Sequence, residues 1–346
     1  MADRFTHFDA DGRALTRPEI AVLMAWTKIV LFDDLVASSV PDDPYFQTTL
    51  RGYFPKALLQ YQDVMEAHRL KREIICTVLA NRIVDIAGPV FMLRLREQSG
   101  AANADIVAAF EVARAVLDIS NLKSQIDTLD NQVPAQRQNN LLGGLATSLR
   151  RLTHSVLTAN IDGTIAAQIE SLADARGALS QLTAANLPAY EKAVSKRRIN
   201  HLAREGVPAE LAKSVAATRL IADAPLITQL AARSGRTPED ATAAYLQVGD
   251  ALSLDRLRAA ATTAIADMPH WDRLATRGLI RELEHLQADA SQLALVSGDV
   301  DSWVSQHGDA RSTLLSEVKT YTGSKPSFAQ FALAADAMRK FMQTVA

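Results

Sequence analysis

A chain of 346 residues, 48 % of them apolar, is long enough for roughly two domains of ~150 residues each and too apolar to be disordered. A formal net charge of −2 and a pI near 6.4 leave no general attraction to nucleic acid or to acidic membranes. The one cysteine excludes an internal disulfide framework, and the first 19 residues lack an apolar signal-peptide core, so a soluble, cytoplasmic chain is expected.

In chain order, Thr16-Arg17-Pro18-Glu19 carries the signature of a helix start, with Thr16 as N-cap and Glu19 closing a capping box. The helix that follows runs to about residue 38 and is apolar nearly all round, which predicts burial between other elements. It is broken by Lys28, Asp33 and Asp34 before it reaches the ~20 apolar residues a membrane span needs. Pro41-Asp42-Asp43-Pro44 reads as a turn, followed by short helices around 45–53 and before His68.

Residues 68–97 form the expected centre of the fold. Ile74, Ile75, Val78, Leu79, Ile83, Val84 and Ile86 recur at spacings of one, three and four, a helical pattern, and Gly88-Pro89 must end or bend the helix. Arg69, Lys71, Arg72 and Glu73 are placed on its exposed side, with Arg69 and Glu73 paired at i,i+4. Asn81, Arg82 and Asp85 interrupt the apolar band. They are read either as an internal Arg82–Asp85 pair with Asn81 tying down a neighbour, or as contacts to another domain or subunit. Cys76 lies among these apolar residues and reads as a small buried hydrophobe.

Beyond Gly100 the pattern predicts helices over 103–117, 121–129, 134–157, 165–182, 188–204, 208–222, 225–233, 238–252, 254–264, 270–295, 310–321 and 327–342. Most of the 12 prolines fall at their starts, and no β-branched run bounded by turns occurs. The fold class is therefore all-α: a multi-helix bundle of two packed helical subdomains, 15–165 and 166–346, preceded by a flexible segment 1–14. An ungapped offset of 135 pairs Phe91 with Leu226, Gly100 with Gly235, Phe110 with Tyr245, Leu117 with Leu252 and Pro134 with Pro269, the pattern of an internal duplication.

Chemistry is sparse. GxGxxG and GxxxxGK[ST] are absent, and Gly143-Gly144 sits in a helix-forming context. The seven histidines are scattered, with no HxxxH pair. Asp9-Ala10-Asp11-Gly12 resembles part of a calcium loop, but His7 precedes it and Pro18 stands where the closing Glu belongs, so it reads as a turn. Glu239-Asp240 after Thr237-Pro238 is helix N-terminal charge, and Asp42-Asp43 belongs to its turn. The basic run Lys192, Lys196, Arg197, Arg198 and Arg204, with His201, lacks the stacking aromatics of a nucleic-acid site and reads as a solvated face or a surface for an acidic partner.

Several stretches resemble the C-terminal region of the large bacterial NAD-specific glutamate dehydrogenases. They are LTRPEIAVLMAWTKIVLFDDLVAS (15–38), DDPYF (42–46), YFPKAL (53–58), EAHRLKREIICTVLANRIVD (66–85) and LDNQVPAQRQ (129–138). LSLDRLR (252–258), MPHWDRLATRGLIREL (268–283) and PSFAQFALAADAMR (326–339) extend the resemblance more loosely. It implies a parent enzyme that converts L-glutamate, NAD and water to 2-oxoglutarate, ammonia and NADH. The dinucleotide fold and the catalytic lysine and aspartate of that family lie upstream of the region resembled. It thus implies no catalytic, cofactor-binding or metal residue here, with NAD held by the parent. Ala87-Gly88-Pro89 departs from the glycine pair of relatives, and MADRFTHFDADGR lies outside the resemblance, as at the boundary of a fragment. The expected role is non-catalytic: supporting the upstream catalytic region of the same polypeptide and building a homo-oligomer, with Asn81, Arg82 and Asp85 as interdomain or intersubunit contacts. A stand-alone helical scaffold, or a regulatory module for an amino-acid effector, are the alternatives.

Overall fold

A computed structural model describes residues 15–183, 185–322 and 326–345. The segment 1–14, including the Asp9–Gly12 turn, lies outside the described residues. Every regular element among those described is helical, and the chain forms two compact units: Met1–Val112 with Asp162–Ala167, and Ala113–Ile161 with Gln168–Ala346. The division anticipated at residue 165 falls inside the short segment that returns to the first unit.

The first unit begins with α1 (Arg17–Val36), whose start is the one its sequence specifies. Glu19 accepts from both the backbone N–H and the hydroxyl of Thr16, each at 2.7 Å. Two 3-10 turns (Val40–Asp42 and Pro44–Phe46) lead into α2 (Gln47–Tyr53). Another 3-10 turn (Lys56–Tyr61) and α3 (Gln62–Glu66) lead to α4 (Lys71–Ala87). α1 and α2 pack on α4, whose Ile75, Cys76, Leu79, Ala80, Ile83 and Val84 are buried. Burial pushes the Cys76 thiol up to about 11, so it stays protonated and inert at neutral pH.

α4 ends at Gly88, whose φ of +87° and ψ of 164° only glycine adopts without strain. The chain bends by 89° into α5 (Phe91–Ser99) and continues as α6 (Asn103–Val116). Phe91 and Phe110 meet edge to face at 5.5 Å in the core. No single helix among the described residues is long and apolar enough to cross a membrane; α4 and α5 reach that composition only as this bent pair.

The second unit contains α7 (Ile119–Asp127), α8 (Ala135–Ala159), α10 (Ala173–Ser180), α11 (Ala189–Arg204), α12 (Ala209–Ile221), α13 (Ala224–Ser234), α14 (Pro238–Ala251), α15 (Leu254–Ala264), α16 (His270–Val296), α17 (Val300–Gln306), α18 (Gly308–Tyr321) and α19 (Phe328–Val345). The remaining helix, α9 (Ile165–Ser171), begins in the returning segment, so the single helix predicted over 165–182 is broken at Leu172. α16 is the axis of this unit and packs against α13, α14, α15, α17 and α19. Pro134, Pro188, Pro208 and Pro269 stand at N-cap positions, where a missing N–H costs nothing. The short α17 escaped the sequence reading because seven residues carry too little periodicity. Its start is set by the Asp299 side chain accepting from the Ser302 N–H at 2.8 Å, and it buries Trp303.

The offset of 135 recurs in the backbone. α6 and α14 begin and end at positions 135 apart, and so do the starts of α7 and α15 and of α8 and α16. The left-handed residues follow it as well: Gly100 and Gly235 (φ +69° and +65°), and Asp118 and Ser253 (φ +52° and +55°).

Leu79 is fully buried at the centre of α4. Leu79→Ala is expected to cost about 2–5 kcal/mol, as large-to-small core changes do. The readout is the midpoint of chemical denaturation; a midpoint left in place would remove α4 from the core.

Candidate docking surface

The expectation that α1 is covered on all sides does not hold among the described residues. Only Leu31 and Leu35 are buried, because α4 covers just one side of the helix. At 100° per residue, Trp26, Ile29 and Val30 fall within about 100° of one another on the opposite side. Their exposures of 47, 50 and 51 % are those of surface residues, although their chemistry is that of a core. Of the fifteen large apolar residues exposed among those described, the twelve from Ile20 to Leu93 belong to the first unit. They include Leu58, Leu59, Tyr61 and Val64, on the 3-10 turn before α3 and on α3 itself. A contiguous exposed apolar patch on a protein commonly marks a site of interaction.

The three polar residues singled out on α4 have separate fates. Arg82 does not pair with Asp85. Its Nη1 donates to Oε1 of Glu111 at 2.9 Å, and the Glu111 side chain is wholly buried. Asp85 lies on the exposed side and takes Nζ of Lys28 on α1 at 2.9 Å. Asn81 is exposed beside it, one turn away, and its side chain makes no hydrogen bond among the described residues. The apolar positions of α4 cluster more tightly than the sequence suggested, so Asn81 and Asp85 fall outside the buried band. The i,i+4 pair of Arg69 and Glu73 is not formed either.

Arg72 reaches inward instead. Its Nε donates to the Val36 carbonyl at 2.9 Å, its Nη2 to the Ser38 carbonyl, and its Nη1 to both oxygens of Asp42 at 2.6 and 2.7 Å. A cation thus closes the C-terminus of α1, where carbonyls lack partners and the helix dipole favours positive charge. Asp43 accepts from the N–H of Tyr45 at 2.9 Å and of Ile165 at 3.0 Å, which ties residues 162–167 to the first unit. Sequence analysis placed these acids in a turn but had no means of finding their partners.

A second polar cluster, which sequence analysis missed, lies inside the second unit. Arg151 on α8 donates from Nε and Nη2 to Glu284 on α16 at 3.1 and 2.9 Å, from Nη1 to the Arg219 carbonyl at 2.9 Å, and to Asp223. Arg219 pairs with the buried Glu191, and Arg258 bonds Asp255 and, at 3.1 Å, the Tyr245 hydroxyl. Gln287 donates to the Tyr245 carbonyl at 2.7 Å. Gly249 faces this group, and a Cβ there would come within 2.5 Å of Gln287 Nε2 and 2.8 Å of Asp255 Oδ2, so a larger residue would have to displace these side chains. The visible signal was a charge inside an apolar helical stripe, Arg151 between Leu149 and Leu152, since such a group demands a partner.

The carboxylates are split by their surroundings. Burial dominates at Asp223 and raises its pKa above the ordinary aspartate value, with Glu284 adding repulsion. At Glu284 burial is outweighed by Arg151 and Arg258, which hold its pKa below the usual range. Each acid here is bound to a guanidinium: the Arg151 and Arg219 pairs join different elements, while Arg258–Asp255 lies within α15. Among the described residues no group of three or more His, Cys, Asp or Glu could hold a metal ion.

The geometry among the described residues is that of an all-helical module with ion-paired interiors and an exposed apolar face on α1. The chain belongs to the family described as glutamate dehydrogenase, C-terminal, whose model matches residues 12–340. It is similar to the NAD-specific glutamate dehydrogenases of Halomonas elongata (34 % identical, 93 % of this chain, 21 % of that protein) and Pseudomonas aeruginosa (30 %, 86 % and 19 %). That of Mycobacterium tuberculosis is 27 % identical over 76 % of this chain and 16 % of its own length. The chain thus spans about a fifth of the relatives it matches.

The two carboxylates predict opposite pH behaviour. Glu284, with a lowered pKa, contributes stability that is present above about pH 4.5 and lost as pH falls. Asp223, with a raised pKa, contributes stability that is present below about pH 3.8 and lost as pH rises through its folded value. Glu284→Gln should therefore cost about 1–3 kcal/mol at pH 7 and converge on the wild type in acid. Asp223→Asn should cost less at pH 7 than Glu284→Gln. Denaturation of both variants between pH 3 and 8 decides, and equal, pH-independent losses would refute this assignment.

Proposed function

We propose that this chain is a non-catalytic helical region of a larger NAD-specific glutamate dehydrogenase. It supports the upstream catalytic region and helps to build the oligomer through the apolar face of its first unit. The parent reaction on this reading is L-glutamate + NAD + water to 2-oxoglutarate, ammonia and NADH, carried out elsewhere in the polypeptide. The carrying observation is the exposed pair Ile29 and Val30, on a helix whose composition calls for cover. The relatives supply the reason for an absent cover, since four-fifths of their length lies outside the matched region. Asn81 and Asp85, exposed on α4, would give such a contact its polar register, while Arg82 acts from inside by satisfying Glu111.

This division of labour separates two variants. Arg82→Ala should destabilise the chain by about 1–3 kcal/mol, because it takes the guanidinium from a buried carboxylate. The double substitution Ile29→Glu, Val30→Glu should leave the melting temperature of the chain in place and reduce its self-association in sedimentation. In the full-length enzyme it should weaken assembly or glutamate oxidation without altering hydride transfer. Calorimetric titration of the isolated chain with NAD should show no saturable site below ~100 μM, about −5.5 kcal/mol. A salt-insensitive monomer, together with an unaffected full-length double variant, would end the docking proposal.

A further inference from the structure

The second unit holds a cleft of about 1040 Å³ between α7, α10, α11 and α12, at the upper end of small-molecule sites. Its floor is apolar, formed by Leu122, Leu179, Leu187, Ile199, Leu220 and Ile221. Its charges are unbalanced. Lys192 and Lys196, one turn apart on α11, line it with Arg176 from α10 and Lys213 from α12, against two acids, Asp118 and Glu210. Glu210 is already held by Lys213 at 2.7 Å, and Asp118 takes the Asn121 amide at 2.9 Å. Lys192, Lys196 and Arg176 form no ion pair among the described residues. Three uncommitted cations thus share one concave site in a chain whose net charge is −2.

From this we infer that the cleft binds a small organic anion carrying at least two negative charges and an apolar body. The charges would lie against Lys192, Lys196 and Arg176, and the body on the leucine and isoleucine floor. The amide of Asn200 lines the same space and supplies a hydrogen bond to orient the ligand, whereas the Asn121 amide and the Ser214 hydroxyl are taken by Asp118 and the Glu210 carbonyl. A cationic wall over a low-dielectric floor strengthens attraction to an anion beyond what the same lysines give on an open surface. The basic run of α11 is thereby divided. Lys192 and Lys196 face the cleft, Arg198 is half-buried against Gly144, and His201 turns to Glu205.

Both phosphates and carboxylates satisfy this chemistry, so the test carries both. The 346-residue chain is titrated calorimetrically with 1-naphthyl phosphate, and inorganic tripolyphosphate and tricarballylate are added as competitors. Saturable binding of 1-naphthyl phosphate with a Kd below ~1 mM is expected, weakened about tenfold or more in the Lys192→Gln, Lys196→Gln double variant and unchanged in Lys319→Gln. The competitor that displaces it identifies the anion source. On the wild-type chain, acetylation of Lys192 and Lys196 should slow in the presence of 1-naphthyl phosphate, while that of Lys319 should not. Absence of saturable binding by all three probes, undiminished binding in the double variant, or unprotected lysines would each overturn the inference.

Discussion

The first unit depends on one guanidinium. Arg72 sits at the start of α4 and gathers the last carbonyls of α1 and the carboxylate of Asp42 into a single set of bonds. Helix ends leave carbonyls unpartnered, and a buried end without partners is costly. By supplying them from the neighbouring helix, Arg72 stops α1 and fixes its register along α4 together. Asp43, next in sequence to Asp42, then starts the following turn and receives the N–H of Ile165. Two adjacent acids in a turn thus fasten three separate parts of the chain.

The second unit is tied together differently. Its long helix α16 meets five others, and two polar groups adjoin it: Arg151 and Arg219 with Asp223, Glu284 and Glu191, and Arg258 with Asp255 and Tyr245, whose carbonyl Gln287 bonds. Such clusters add little stability beyond a well-packed apolar core, but each member accepts one geometry only, which favours a unique packing. The contrast bears on function. On the proposed reading, ion-paired interiors and an exposed apolar face on α1 belong to a part that docks onto something larger.

The recurring offset of 135 residues shows how the same local instructions produce different surfaces. Left-handed caps at Gly100 and Gly235, and at Asp118 and Ser253, end and begin helices at matching positions. Phe110 and Tyr245, also 135 apart, are both fully buried. Yet Tyr245 carries a hydroxyl bonded by Arg258, whereas Phe110 packs edge to face on Phe91. Backbone punctuation recurs, while the polar chemistry of the interior does not.

What the sequence by itself determined was the helical class, most helix starts and the central place of α4. Those depend on residues close in the chain: Thr16 with Glu19, prolines at N-caps, and apolar spacings along one helix. The family was legible too, through motifs of the first 140 residues. Only the tertiary structure decided which partner each polar side chain takes. Arg82 chose Glu111 over Asp85, Arg72 left the surface for Val36, Ser38 and Asp42, and Arg151 bridged to residues 72 and 133 positions away. The uncovered side of α1 was hidden for the same reason. All-round apolarity states that cover is needed, but the direction from which it comes is set by distant helices that local periodicity does not encode.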